Sequence, residues 1–163
     1  MLALYELYQQ NRTKNAPEFI YSILYQTDPP MIRGRSANHL QRLINGVNID
    51  NHIPEKAIKL LNNIKEIEPR SSCEGSNNQH PTFFIFRFRK DSREEYVKDF
   101  CNKLSKNRKY KCGYELGRQG YYRVGITNKL YYSKENEKKF NQWWLELPNE
   151  IIDTLKSITQ VKE

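Results

Sequence analysis

The chain has 163 residues, a formal net charge of +8, and hydrophobic and aromatic contents of 37% and 12%. This length fits one domain or two small lobes that share a core, and the apolar content excludes a wholly disordered chain. Three cysteines without Cys-x-x-Cys spacing argue against a disulfide scaffold and against a zinc site. No apolar run approaches the ~20 residues that span a bilayer. We therefore expect a soluble cytoplasmic protein without a membrane segment.

The first 66 residues predict a series of short helices. Apolar residues within Leu2–Tyr8 recur at helical spacing, and Pro17 suits the first turn of a second helix. A third helix is predicted over Ser36–Gly46, with the serine as its cap and the glycine as its end. Pro54 opens a fourth helix, whose apolar residues recur at the spacing of a buried helical face.

Part of this region resembles a DNA-binding domain. The run Leu40-Gln41-Arg42-Leu43-Ile44-Asn45-Gly46, followed by Ile53-Pro54, resembles the end of a helix-turn-helix repressor domain. The resemblance implies that the helix before the Asn-Gly turn enters the major groove, with His39, Gln41 and Arg42 towards DNA. The alternative is a helical bundle that packs on a sheet, because Asn-Gly after a helix is also ordinary termination chemistry. We favour the bundle and keep DNA binding as an alternative.

The second half of the chain begins with a strand-like pattern. Phe84, Phe86 and Phe88 alternate with more polar positions, which predicts a strand with one apolar and one partly basic face. A helix is predicted next, capped by Asp91 or Ser92, and its apolar residues recur every four positions.

Two further strands and more helix complete the prediction. The strands are expected over Tyr110–Leu116 and Tyr121–Thr127, joined by a hairpin turn at Gly117–Gly120. A helix is predicted over Lys134–Leu147, and Pro148 is expected to start a separate one.

The predicted order in the second half is β, β, α, β, β, α. It indicates an α+β fold, with an N-terminal helical subdomain (1–66) followed by an antiparallel sheet with helices on one face (67–163), packed as one unit. No glycine-rich phosphate loop follows a strand, so the mononucleotide-binding folds are not supported and no particular cofactor is indicated.

A polar loop between two predicted strands carries the most reactive combination of side chains. Cys73 and Glu74 end one strand and His80 precedes the next, so a hairpin would bring the three together. A thiolate beside an imidazolium has a lowered pKa and is a better nucleophile, and a carboxylate can orient the imidazole. These three residues are therefore our candidate catalytic group.

Two other interpretations of this loop remain open. It can be an ordinary polar turn in which serine and asparagine side chains bond to the backbone and the cysteine fills a small pocket. It can also bind a phosphate without chemistry, through serine hydroxyls, backbone N–H groups around Gly75 and nearby arginines.

The loop also resembles two groups of proteins. The first group is the methyltransferase family of wybutosine synthesis on transfer RNA, which has a Ser-Ser-Cys-Ser-Gly-Arg signature. The similarity covers residues 69–130. It includes Ser71-Ser72-Cys73-Glu74-Gly75, the predicted strand and helix that follow, and the run Cys112-Gly113-Tyr114-Glu115. Here Glu74 and Ser76 depart from that signature. The run also resembles uncharacterised phage and bacterial proteins with a Ser-Cys-Glu-Gly-His loop before a strand. The first resemblance implies a transfer RNA substrate.

The charge distribution points to a phosphate-bearing partner. Residues 1–66 have a net charge of +2 and residues 67–163 a net charge of +6, so we expect polyanion binding in the second half. RNA or a nucleotide is the predicted partner, held on a sheet face where arginine and tyrosine alternate outwards. The candidate ligand-binding residues are Arg70, Ser71, Ser72, Arg87, Arg89, Lys111, Tyr121 and Arg123.

Overall fold

The computed structural model describes residues 19–20, 22–24, 40–44, 47–76, 81–90, 93–117 and 120–161. Residues 19–20 and 22–24 are helical. The later elements are β1 (Gln41–Ile44), β2 (Val47–Asp50), α1 (Glu55–Asn62), β3 (Ile67–Cys73), β4 (Phe83–Phe88), α2 (Glu94–Leu104), β5 (Lys111–Leu116), β6 (Tyr122–Thr127) and α3 (Glu137–Val161).

The main sheet has four strands in the order β3-β4-β6-β5, and every neighbouring pair is antiparallel. One row of the register runs from Cys73 through Phe83 and Thr127 to Lys111, so these residues lie at one end of the sheet. Between β5 and β6, Gly120 has a φ of +80°, a conformation that favours glycine. The α+β fold with an antiparallel sheet is therefore confirmed.

The inner face of the sheet forms the larger core. Phe84, Phe86 and Phe88 point to this face, where Phe100 of α2 meets Phe86 and Phe88 edge to face with ring centroids 5.7 and 5.3 Å apart. Trp144 of α3 is fully buried against the edge of Phe84. The alternation in β4 predicted this face, since aromatic side chains at every second position can bury together only on one side of a sheet.

The outer face is covered by the helical residues 19–24 that the structure describes. Phe19, Ile20 and Ile23 pack with residues of β3 and β4 in a second apolar cluster. Glycines make room for them, because a Cβ at Gly125 would lie 2.9 Å from the Phe19 ring and one at Gly113 would lie 2.7 Å from Ile23. Apolar side chains thus cover both faces of the centre of the sheet.

The predicted helix over Ser36–Gly46 is wrong where the structure describes it, because Gln41–Ile44 is strand β1. Ile44 pairs with Val47, so Asn45 and Gly46 are the two residues that connect β1 to β2. Asn-Gly between apolar residues is a strong signal for a two-residue hairpin, and here it outweighs the helical spacing of the leucines.

The hairpin removes the helix that the DNA-binding interpretation required. The Arg42 guanidinium donates to the backbone carbonyls of Asn51 and Ile53, and the Gln41 amide donates to Asp50. Both side chains therefore tie the hairpin to the segment that follows it. His39 lies outside the described residues.

Helix α3 is continuous, and the predicted break at Pro148 is wrong. Proline has no N–H for the bond to the carbonyl four residues earlier, which costs a helix on the order of 3 kcal/mol. The buried side chains of Trp144, Leu147 and Ile151 flank Pro148 and pack into the main core on both sides of it. This packing offsets the cost of the proline and keeps the helix continuous. No helix within the described residues has the length and apolar content needed to cross a bilayer.

Candidate functional site

The Cys73 thiol is buried at the end of β3. Burial raises its pKa well above the ordinary value, and the nearby charge of Asp50 raises it further, while the backbone N–H of Gly75 acts in the opposite direction. Because the thiolate is the reactive form of a cysteine, burial disfavours this side chain as a nucleophile, and its predicted pairing with His80 stays a prediction. His80, its predicted partner, lies outside the described residues.

Glu74 instead makes a contact with a histidine that the sequence did not indicate. Its Oε2 lies 2.8 Å from Nδ1 of His52, and its side chain is 6% exposed whereas that of His52 is 40% exposed. The imidazole stacks on the ring of Tyr132, with centroids 3.7 Å apart and planes 9° apart. A buried carboxylate and an aromatic ring therefore fix an imidazole at the protein surface.

The backbone around this contact is fixed by hydrogen bonds from three segments. The backbone N–H of Glu74 donates to Oδ2 of the buried Asp50 at 2.9 Å, and the N–H of Tyr132 donates to the Glu74 carbonyl at 3.0 Å. Asp50 ends β2, Glu74 follows β3 and Tyr132 follows β6. The site thus forms only when the hairpin, the sheet and the segment after β6 are packed together.

A network of hydroxyl groups lies beneath the same end of the sheet. Thr82 Oγ1 donates to the Cys73 carbonyl at 2.7 Å and accepts from the indole N–H of Trp144 at 3.0 Å. Thr127 Oγ1 donates to the Thr82 carbonyl at 2.6 Å. These bonds satisfy buried polar groups and fix the ends of three adjacent strands.

A row of charged side chains crosses the outer face at the other end of the sheet, with Arg87 and Arg123 on the two central strands and their carboxylate partners on the two outer strands. Glu68 lies 2.9 Å from the Arg87 guanidinium, and Glu115 forms an ion pair with Arg123. The register places these two arginines on the same face as Lys111, as the alternation predicted. Each guanidinium has a carboxylate partner, so this row is electrically balanced and is not an open cationic surface.

The other predicted ligand-binding residues are spread around this face. The Arg70 guanidinium pairs with Glu68 at 2.7 Å. The Arg87 guanidinium lies over the Tyr121 ring, with its Cζ 4.7 Å from the ring centroid. Ser71 and Ser72 are half-buried in β3, and Arg89 is exposed just beyond β4. The structure therefore brings Arg70 and Arg87 together around Glu68, places Tyr121 against Arg87, and leaves Arg89 exposed.

Replacing Glu68 with glutamine is expected to weaken the acid dependence of stability. Burial works against ionisation of Glu68, but the hydrogen bond from Arg87 and the charges of Arg70 and Arg87 prevail and lower its pKa below the usual 4.5. A lowered folded-state pKa stabilises the protein above the unfolded pKa, and this contribution is lost as pH falls through the folded-state value. Because the group is partly exposed, we expect it to contribute on the order of 1 kcal/mol.

The measurement is urea unfolding at neutral pH and at steps below pH 4.5. Glu68→Gln should lower stability at neutral pH and give a shallower decline in acid than the wild type. Glu55→Gln is the matched control, since Glu55 makes a single exposed ion pair with Lys59. An equally steep decline in Glu68→Gln and the wild type would show that the arginines do not stabilise the Glu68 carboxylate.

Exposed cations cluster where α2 connects to β5, at the same end of the sheet as Glu74. We call Lys106, Arg108, Lys109, Lys111 and Lys129 the basic track. Lys109 lies 3.4 Å from Glu146, but no described carboxylate pairs with Lys106, Arg108 or Lys111. The Lys109 carbonyl accepts from the Trp143 indole and from the Asn128 amide, both at 2.7 Å, which fixes the backbone of the turn.

The segment 128–132 connects the basic track to the imidazole. It leaves β6 beside Lys109, pairs with Thr82 through the Leu130 carbonyl at 2.6 Å, and reaches Glu74 through the Tyr132 N–H. Lys111 lies three strands from Cys73 in the register, which is about 14 Å at ordinary strand spacing. The free cations and the fixed imidazole therefore belong to one end of the molecule.

Comparison with protein-family models, curated proteins and solved structures finds no match to this chain. Among the described residues, no group of three or more histidine, cysteine, aspartate or glutamate side chains is arranged to hold a metal ion. The arrangement of the side chains therefore carries the functional argument.

Proposed function

We propose that this protein binds single-stranded RNA through the basic track. The observation that carries the proposal is the set of three exposed cations, Lys106, Arg108 and Lys111, that have no carboxylate partner in the described part of the chain. Unpaired cations on a fixed turn attract phosphates and release counterions when a nucleic acid binds.

Two further features support RNA over a small anion. The track continues along the segment 128–132, so it is long enough to contact several phosphates in succession. That segment also carries the half-buried Tyr131 beside Lys129, and an aromatic ring next to a cation can stack a base while the cation holds the backbone. The paired arginines of the outer face contribute less, because Glu68 and Glu115 already occupy them.

Reversing the charge of the track is expected to weaken RNA binding by at least ~10-fold. The variant combines Lys106→Glu, Arg108→Glu and Lys111→Glu, and the measurement is fluorescence anisotropy of a labelled single-stranded RNA at several salt concentrations. Loss of three phosphate contacts should also reduce the slope of log K against log salt by about 2, since each contact to a single strand contributes ~0.7.

The control variant carries Lys56→Glu, Lys65→Glu and Lys98→Glu, three exposed lysines outside the track. Its net charge equals that of the track variant, so a general charge effect would weaken both variants to the same degree. The proposal requires a larger loss of affinity and slope in the track variant. Equal losses in the two variants, or no measurable RNA binding by the wild type, would overturn it.

A further inference from the structure

We infer that His52 is a catalytic base that cleaves RNA at a 2′-hydroxyl, an activity that rests on the proposed RNA binding. The inference starts from the hydrogen bond between Nδ1 of His52 and Glu74. Because a carboxylate accepts hydrogen bonds, this contact favours the tautomer with its proton on Nδ1. Nε2 then has a free lone pair, and no described residue bonds to it.

The imidazole is held more rigidly than an ordinary surface histidine. Its ring is stacked on Tyr132, and Glu74 is fixed in turn by the bond from its backbone N–H to Asp50. A carboxylate that holds one ring nitrogen while the other faces the substrate is the arrangement that general-base histidines use. Burying the Glu74 carboxylate costs free energy, and its pairing with the half-exposed His52 offsets part of that cost.

The position of His52 suits a bound RNA strand. The segment 128–132 runs from the basic track to Glu74 and Tyr132, so a strand whose phosphates follow the track reaches the imidazole. The buried Glu74 carboxylate contacts His52, and the buried Asp50 carboxylate accepts from the Glu74 backbone N–H. They repel a phosphate, which favours an approach of the neutral 2′-hydroxyl to Nε2.

The chemical step is an internal transesterification. Nε2 accepts the proton of the 2′-hydroxyl, the O2′–P bond forms, and the P–O5′ bond breaks. The leaving O5′ takes a proton from solvent, to which His52 returns its own proton. The products are a 2′,3′-cyclic phosphate and a 5′-hydroxyl, and no oxidant, reductant or other reactant is needed.

The test uses a labelled DNA oligonucleotide with one central ribonucleotide, and a matched one in which that ribose is 2′-O-methylated. We expect the wild type to cut the first after the ribonucleotide and to leave the second intact. His52→Asn keeps an amide that can donate to Glu74 but lacks Nε2, so its cleavage rate should fall by ~100-fold or more. Added imidazole should restore cleavage by His52→Ala, a result that a purely structural role would not give.

Glu74 is a positioning residue in this scheme. Glu74→Gln should lower kcat with little change in KM. His52→Asn should bind RNA like the wild type in the anisotropy measurement, which separates this inference from the proposed function. Wild-type binding without cleavage, or cleavage by His52→Asn at the wild-type rate, would overturn the inference and leave RNA binding standing.

Discussion

Replacing Trp144 with alanine is expected to lower the free energy of unfolding by about 4 kcal/mol. The side chain is fully buried between the sheet and α3, in edge contact with Phe84 and with Trp143. The substitution removes a large apolar surface from the core and leaves a cavity that the surrounding strands can close only in part. It also removes the indole N–H that donates to Thr82.

Two companion variants separate these contributions. Trp144→Phe fills much of the space but leaves Thr82 without its donor, and we expect it to cost about 2 kcal/mol. Leu145→Ala changes the adjacent residue of α3, whose side chain is 39% exposed, and should cost less than about 0.5 kcal/mol. The measurement is urea unfolding followed by far-ultraviolet circular dichroism, which does not depend on tryptophan emission.

A domain of this kind has a total stability of roughly 5–15 kcal/mol, so Trp144→Ala is expected to leave a small margin or none. If its unfolding midpoint matched that of Leu145→Ala, Trp144 would not support the core. Because Thr82 accepts from the Trp144 indole, the substitution also disturbs hydrogen bonds outside the cavity that it creates. Thr82 connects Trp144 to the carbonyl of Cys73, so loosening the indole also loosens the end of β3 that positions Glu74.

The sequence predicted the main sheet well because its signals are local. The aromatic alternation of β4, the glycine-containing turn before Tyr122 and the apolar spacing of α2 each depend on residues within a few positions of one another. Period-two and period-four patterns directly reflect which side of an element is buried. The fold class therefore followed from the chain without knowledge of long-range contacts.

Errors in the predicted elements arose where a local signal conflicted with another local signal or with tertiary packing. The leucines around Arg42 have helical spacing, but Asn45-Gly46 favours a hairpin, and the hairpin is stabilised by distant partners such as Ile53. At Pro148 the local rule predicted a break, and packing of α3 on the core overrode it. In both cases tertiary contacts decided between alternatives that the sequence left close in energy.

The sequence indicated Glu74 as a site residue but did not indicate its partner His52. Glu74 was identified because it stands in a polar loop at the end of a predicted strand, but His52 is 22 residues away and lies in a turn after β2, a segment that was predicted as a connection between two helices. The pairing of Arg87 with Glu68 was equally hidden, since it depends on the β3–β4 register and a bulge between Pro69 and Ser71. Spacing along the chain cannot reveal contacts that depend on how separate elements pack.

Asp50→Ala is expected to lower the free energy of unfolding by about 3 kcal/mol, because it removes a buried carboxylate that accepts hydrogen bonds. Asp50 is 3% exposed and accepts hydrogen bonds from the Gln41 amide at 3.1 Å and from the Glu74 backbone N–H at 2.9 Å. Alanine removes both acceptors. The Glu74 N–H then stays buried without a partner, and its desolvation is no longer compensated.

Asp50→Asn tests whether the charge of the Asp50 carboxylate or the position of its two acceptor oxygens contributes more to stability. The amide has one oxygen, so it can accept from Gln41 or from Glu74 while its NH₂ group faces the other donor, and we expect a cost on the order of 2 kcal/mol. Asp153→Ala is the matched control, since Asp153 is an exposed acid on α3 without an ion pair in the described part of the chain. It should change stability by less than about 0.5 kcal/mol.

Hydrogen exchange at the Glu74 amide gives a local measurement beside the urea midpoint. If Asp50 holds the loop, Asp50→Ala should accelerate exchange at Glu74 much more than at Val124, which lies in the middle of β6 within the buried core. Slow exchange at Glu74 together with an unchanged urea midpoint would contradict the prediction. Faster exchange confined to Glu74 and its neighbours would show that one buried carboxylate joins the hairpin to the sheet and so holds the residue that orients His52.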